Sequence, residues 1–171
     1  MRCDRVGSTV PGVEPSPADR RLLLSYLEEL HTWNQRLNLT AVPAADGWER
    51  HVTETVVLLA RAGIPAGARC VDIGSGGGIP GVVIAVLRPD LAVTLVEADR
   101  RKAGFLVHVS GLLDLANVTV LSRRAEELGH DPAHREGYDA AVSRAAAPPP
   151  LLCELALPLL KVGGTLWALV T

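Results

Sequence analysis

The densest chemical signal is the run Val71-Asp72-Ile73-Gly74-Ser75-Gly76-Gly77-Gly78-Ile79-Pro80-Gly81. An apolar stretch ends at Asp72 and a cluster of glycines follows. Glycines at the end of a strand let the backbone turn sharply and approach a ligand with no Cβ in the way. Gly76, Gly78 and Gly81 satisfy the GxGxxG spacing of a dinucleotide fingerprint. Glu97 closes the next apolar run, where a carboxylate can bind ribose hydroxyls in more than one cofactor class. The spacing alone therefore leaves the ligand open.

Asp72 and Pro80 separate the possibilities. A carboxylate two residues before Gly74, at the mouth of the loop, would repel a pyrophosphate. It would favour S-adenosyl-L-methionine, whose amine and sulfonium are both positive. Pro80 at the start of the following helix lacks an N–H that a phosphate would use. A glycine-rich turn without a ligand is disfavoured, since so many glycines weaken a turn that needs only one.

Other reactive types are fewer. Arg144 follows an apolar run at a predicted strand end and would face the cleft, to orient a cofactor or a base or else to form a surface ion pair. Glu126 is a candidate acceptor for an adenosine or a solvated helix residue. Arg50 and His51 could meet nucleic acid, as could the basic runs Arg100-Arg101-Lys102 and Arg123-Arg124, although a charge run is usually a solvated face. Cys70 falls in a predicted buried strand and Cys153 in a helix, so neither reads as an attacking thiol. With Cys3 they make three widely spaced cysteines and no CxxC pair, so neither a disulfide framework nor a metal site is expected.

These residues need a scaffold. Residues 1–15 read as a disordered lead and not as a signal peptide. Ser16 and Pro17 open a first helix, with Leu23, Tyr26, Leu27, Leu30, Trp33 and Leu37 at helical spacing. Asn38-Leu39-Thr40 breaks it. A second helix is predicted from about Gly47 to Ala62, with Val52, Val56 and Leu59 inward and Gly63 as its cap. From Arg69 short apolar runs alternate with helical patterns. Strands are predicted over 70–73, 92–96, 118–121, 138–143 and 165–170, and helices over 79–87, 100–113 and 151–160, the last ended by Gly163-Gly164. This alternation implies an α/β fold with a parallel sheet and helices on both faces. Residues 16–68 would form an N-terminal helical cap on a core of residues 69–171.

With 171 residues the chain suits one domain, and 48% hydrophobic with 21% charged residues is ordinary for a globular protein. Only 4% are aromatic, so small aliphatics must build the core. A net charge of −2 argues against a protein that coats itself with nucleic acid, though not against a local basic patch. No apolar stretch reaches membrane-spanning length.

The sequence resembles the RsmG (GidB) family of bacterial 16S rRNA guanine-N7 methyltransferases. The resemblance rests on Trp33-Asn34-Gln35-Arg36-Leu37-Asn38-Leu39-Thr40, Arg50-His51, Asp72 to Gly81, Arg88-Pro89, Phe105-Leu106, Arg124-Ala125-Glu126-Glu127 and Ser143-Arg144-Ala145. It implies a Rossmann-like class I methyltransferase core and S-adenosyl-L-methionine as cofactor. It implies cofactor contacts at Gly74, Ile79, Ala125, Glu126 and Arg144, with Glu97 at a usual acidic position; Asp72 and Gly76 join them from the loop chemistry. Candidate RNA contacts are Arg50, His51, Arg101, Lys102 and Arg123. The implied partner is 16S rRNA in the small ribosomal subunit, reached by a cytoplasmic monomer.

Two departures accompany the resemblance. Glu54-Thr55 stands where the family often has Asp-Ser, and the family's final antiparallel hairpin is expected to be missing. A methyltransferase for another substrate, or a truncated inactive cofactor- or RNA-binding relic, is therefore an open alternative. Guanine N7 carries a free lone pair, so the implied chemistry needs no base and works by proximity. The low net charge suggests that folded ribosomal context supplies part of the recognition.

Overall fold

A computed structural model describes residues 14–169. Apart from Glu14 and Pro15, the expected disordered lead lies outside the described residues. Helix α1 (Pro17–Leu37) begins where the sequence places it. Ser16 Oγ accepts from the Asp19 N–H at 3.2 Å and the Asp19 carboxylate accepts from the Ser16 N–H at 2.9 Å. This reciprocal pair satisfies two amides of the first turn that have no partner within the helix. Leu23, Tyr26, Leu27 and Leu30 form its buried stripe. The helix stops at Asn38, whose φ of 49° is left-handed.

The second predicted helix differs in its phase. A short 3-10 turn, Ala44–Asp46, leads into a wide π-helical turn, Trp48–Thr53, which continues as α2 (Glu54–Ala62). Gly63 caps it at φ 57°. The wide turn inserts one extra residue per turn and rotates the helix face. His51 and Thr55 turn inward with Val52, Leu58 and Leu59, while Val56 is only partly buried.

The remainder alternates as expected: β1 (Arg69–Ile73), α3 (Gly81–Leu87), β2 (Ala92–Val96), α4 (Arg100–Leu112), β3 (Val118–Leu121), α5 (Ala125–Gly129), β4 (Tyr138–Arg144), α6 (Pro149–Ala156) and β5 (Leu160–Leu169). The strands lie in the order β3-β2-β1-β4-β5 and every pair is parallel. Side chains alternate across this sheet. Cys70, Val93, Leu95, Ala140 and Val142 pack under α1, α3 and α4. Val71, Ile73, Val96 and Ala141 pack with Leu128, Leu152 and Ala156 of α5 and α6. Both faces are thus covered, as a parallel sheet requires.

The main departures from the sequence reading fall at α3, at α5 and at the junction of α6 with β5. Helix α3 starts at Gly81 and not at Ile79, because the loop occupies residues 74–80. The five-residue α5 has too few periodic positions to show as a helix in sequence. Helix α6 ends at Ala156, and Gly163-Gly164 lies inside β5 instead of ending a helix. The glycines serve a register break: Tyr138 pairs with Leu160, but Ala140 pairs with Thr165, and Gly163 takes a φ of 85°. Among the described residues, no helix is long and apolar enough to cross a membrane.

The chain runs β1 to β2 to β3 on one side, then returns to β4 beside β1. Strand order reverses at that point, leaving a crevice beyond the carboxyl ends of β1 and β4. Ligands of open parallel sheets bind there.

Candidate active site

A cleft of about 870 Å³ opens at this crevice. One wall is the glycine loop with Glu97, Ala98, Ala125 and Glu126. The other is the segment from Leu39 to His51 with Arg144 and Ala145.

Most N–H groups of the glycine loop are already bonded. Gly74 and Ser75 donate to the Val96 carbonyl, Gly78 to the Ser75 carbonyl, and Gly76 to Glu97 Oε2 at 2.8 Å. The Gly81 N–H at the head of α3 donates to Asp72 Oδ2 at 3.1 Å. From the cap, the Tyr26 hydroxyl donates to the Gly77 carbonyl at 2.7 Å, so α1 holds the loop from behind. The packing tolerates no side chain at several positions. A Cβ on Gly77 would sit 2.8 Å from Leu30 Cδ1, and one on Gly81 would sit 2.3 Å from Leu95 Cδ2 and 2.5 Å from Asp72 Oδ2. Gly76 differs: with φ 53° and only the Gly74 carbonyl, at 3.9 Å, near its Cβ position, it presents bare backbone.

Asp72 does not stand at the mouth of the loop. Its side chain is fully buried beneath it, and the residue does not line the cleft. The side chain leaves the central strand β1 toward the head of α3, where it holds the Gly81 amide. Oδ1 has no hydrogen-bond partner among the described residues. Burial pushes its carboxyl up to about 7, against the opposing Gly81 and Ser75 hydrogen bonds. Burial likewise pushes the Cys70 thiol up to about 12, which excludes it as a nucleophile.

The second wall is assembled from segments distant in sequence. Arg144 leaves the end of β4 with its side chain only 8% exposed and reaches into the π-helical turn. It donates to the Arg50 carbonyl, lies 3.3 Å from His51 Nδ1, and pairs with Glu54 at 3.3 Å. Glu54 also pairs with Arg50 at 3.0 Å, and the Thr55 hydroxyl donates to the His51 carbonyl at 2.6 Å. Glu54 thus serves as the tie between β4 and α2, while Thr55 braces the helical turn within its own segment. His51 Nε2 lies 3.3 Å from Thr40 Oγ1. Burial, then the Arg144 charge, lowers the His51 imidazole to about 4, so it is neutral at pH 7. Asn34 fixes the turn that delivers Thr40: Oδ1 accepts from the Leu39 and Thr40 amides at 2.6 and 2.9 Å, and Nδ2 donates to the Thr40 carbonyl at 2.9 Å.

Of the residues expected at the site, Gly74, Gly76, Ile79, Glu97, Ala125, Glu126 and Arg144 line the cleft, as do Arg50, His51, Lys102 and Arg123. Arg101 does not; its guanidinium donates to the Arg36 carbonyl at 3.3 Å. Arg123 is engaged by Asp131 at 2.7 Å and Glu127 at 3.6 Å, which leaves Lys102 and Arg124 as rim cations outside any ion pair among the described residues. Arg144 is a buried tie and not a surface ion pair. Sequence reasoning passed over Tyr26, Asn34, Thr40 and Asp46. A tyrosine on a fully buried stripe was a signal, since its hydroxyl needs a partner. Among the described residues, no cluster of His, Cys, Asp and Glu could hold a metal ion.

The family described as rRNA small subunit methyltransferase G (GidB) matches residues 19–170. The chain belongs to this family. It is 45% identical over 144 residues to the ribosomal RNA small subunit methyltransferase G of Roseiflexus sp. (strain RS-1), covering 84% of this chain and 61% of that protein. It is 37% identical over 154 residues to that of Moorella thermoacetica, covering 90% and 64%. The chain therefore spans roughly three fifths of the length of the curated relatives it matches. Among solved structures it resembles coclaurine N-methyltransferase bound to N-methylheliamine and SAH (TM-score 0.61, 16% identity, 90% of this chain and 51% of that one). It also resembles precorrin-6y C5,15-methyltransferase from Geobacter metallireducens (TM-score 0.54, 18% identity, 66% and 58%). At those identities the likeness establishes the class I methyltransferase fold.

Proposed function

We propose that the chain binds S-adenosyl-L-methionine in this cleft and methylates N7 of a guanine in 16S rRNA of the small ribosomal subunit, as a cytoplasmic monomer. The observation that carries the cofactor assignment is the bonding of the glycine loop. The N–H groups of Gly74, Ser75, Gly76, Gly78 and Gly81 all donate to protein oxygens. A pyrophosphate needs such donors free. A ligand that needs carboxylates and bare backbone instead finds Glu97, Glu126 and Gly76 on the same wall. The buried Asp72 supports the same reading indirectly, by occupying the α3 amide that a phosphate would seek.

When bound, the cofactor supplies an electrophilic methyl group on a sulfonium. The chain's part is to bind and orient. Glu97 Oε2 bonds the Gly76 amide and Oε1 the Asp99 amide at 2.8 Å, which fixes the carboxylate while its remaining lone pairs stay available to ribose hydroxyls. His51 is neutral and cannot compete as a general acid. Glu54 pairs with both Arg144 and Arg50, so its carboxylate offsets one of the two guanidinium charges on this wall. No residue need remove a proton from N7, and catalysis by held geometry suits a cleft without a nucleophile. Lys102 and Arg124 at the rim suit RNA phosphates.

Thermal shift with S-adenosylhomocysteine and with NAD tests the cofactor assignment. Stabilisation by the first alone is expected, and stabilisation by NAD alone would overturn it. Small subunits should accept methyl far better than a short guanine-containing oligonucleotide. Equal rates would refute a role for folded context.

A further inference from the structure

The hydrogen-bond directions around Thr40 can be fixed from its neighbours. A guanidinium only donates, so the Arg144 Nη1 contact at 3.3 Å requires a lone pair on His51 Nδ1. The imidazole is 1% exposed and its other nitrogen faces Thr40, so its proton sits on Nε2. Nε2–H donates to Thr40 Oγ1 at 3.3 Å, and the Val42 N–H donates to the same oxygen at 3.1 Å. Both lone pairs of the hydroxyl are then occupied. Its own hydrogen has no acceptor among the described residues, and Thr40 lines the cleft beside His51 and Arg144.

A hydroxyl is ordinarily indifferent, since it can accept or donate. Here Arg144, His51 and Val42 lock it as a donor. Guanine and adenine share N7 on their outer edge and differ in the group beside it. Guanine carries the O6 acceptor, adenine the N6 amino donor. We propose that Thr40 reads the base: its hydroxyl donates to O6 beside N7 and rejects the amino group of adenine. The inference rests on the guanine-N7 reading and adds the residue that selects the purine. As positive charge develops on the purine, O6 becomes a poorer acceptor. The bond therefore serves binding more than the transition state, and its loss raises KM with kcat little changed.

The test uses the full chain and small subunits reconstituted with 16S rRNA carrying guanine, adenine or 2-aminopurine at the methylated nucleotide. 2-Aminopurine keeps N7 and lacks O6. The unaltered protein should prefer guanine over 2-aminopurine by about fivefold in kcat/KM, as one neutral hydrogen bond allows. Thr40→Val should erase that preference and Thr40→Ser should retain it, with S-adenosylhomocysteine affinity unchanged in both. A Thr40→Val protein that keeps the full guanine preference would overturn the inference. So would equal use of guanine and 2-aminopurine by the unaltered protein, a comparison that requires no variant to fold. No transfer by the unaltered protein to any of the three RNAs would instead overturn the functional reading, and this inference with it.

Discussion

The two walls of the cleft are built differently. The glycine-loop wall is local: one loop bonds to the strand end beside it, and Tyr26 braces it from behind. The wall opposite is a relay across the sequence, Glu54 to Arg144 to His51 to Thr40, in which each side chain orients the next. A backbone-built wall tolerates side-chain change except where a Cβ has no room. A relay is sensitive at every member, because removing one leaves its neighbours unpartnered. Under the proposed function, this contrast predicts that binding of the methyl donor and placement of the acceptor are separable by mutation.

The largest expected effect lies in the loop wall. Gly81→Val places a branched side chain where even a Cβ meets Leu95 and Asp72. It should cost about 3 kcal/mol in urea unfolding and remove cofactor binding, as overpacking of a buried site does. A variant of unchanged stability would show that the loop can yield.

Next comes the relay. Arg144→Met removes the guanidinium that donates to the Arg50 carbonyl and to His51 Nδ1. Methyl transfer should fall by about a hundredfold, the scale of misplacing a reactant by an ångström. Calorimetry should find S-adenosylhomocysteine binding nearly intact. Equal loss of both would mean that Arg144 belongs to the cofactor wall, as its family resemblance implies, and that the walls are not separable.

A smaller effect is expected at the brace. Tyr26→Phe leaves the buried Gly77 carbonyl unpartnered and should lower stability by about 1–2 kcal/mol. Cofactor affinity should drop with it, since Gly77 lies in the loop. Binding that is unaffected would limit α1 to a packing role.

The smallest net effect is in pH dependence, where the walls oppose each other. Asp72 rises from an ordinary 3.8 to about 7 in the fold, so the native state holds the extra proton and stability falls as pH climbs through that window. His51 drops from 6.5 to about 4, so the unfolded chain holds the extra proton and stability rises over pH 4 to 6.5. The two trends largely cancel below pH 6.5. Asp72→Asn should unmask the His51 rise in melting temperature between pH 4 and 6.5. A flat profile in that variant would contradict the burial of His51.

What the sequence made legible follows the same division. The Asp72–Gly81 run announced a ligand loop because its glycines and proline are contiguous, and β2 and β3 fall on the expected residues because apolar runs mark strands directly. The direction of Asp72 was not legible, since a side chain at a strand end follows whatever packs beneath it. The π-helical turn was hidden because one extra residue in a turn leaves no mark on composition, and with it went the inward face of His51 and Thr55. Thr40 stood in a recognised motif, but its role depends on Arg144, more than a hundred residues away in sequence, and on the fold that brings them together.

The central proposal is that this cleft carries a methyl group to guanine N7. Labelled methyl supplied as S-adenosyl-L-methionine to small subunits that lack the mark, with the modified base mapped, tests it most directly. The expected result is a single 7-methylguanine in 16S rRNA, strongly reduced for Arg144→Met. Label on another atom or another RNA, or no transfer at all by the intact chain, would contradict it.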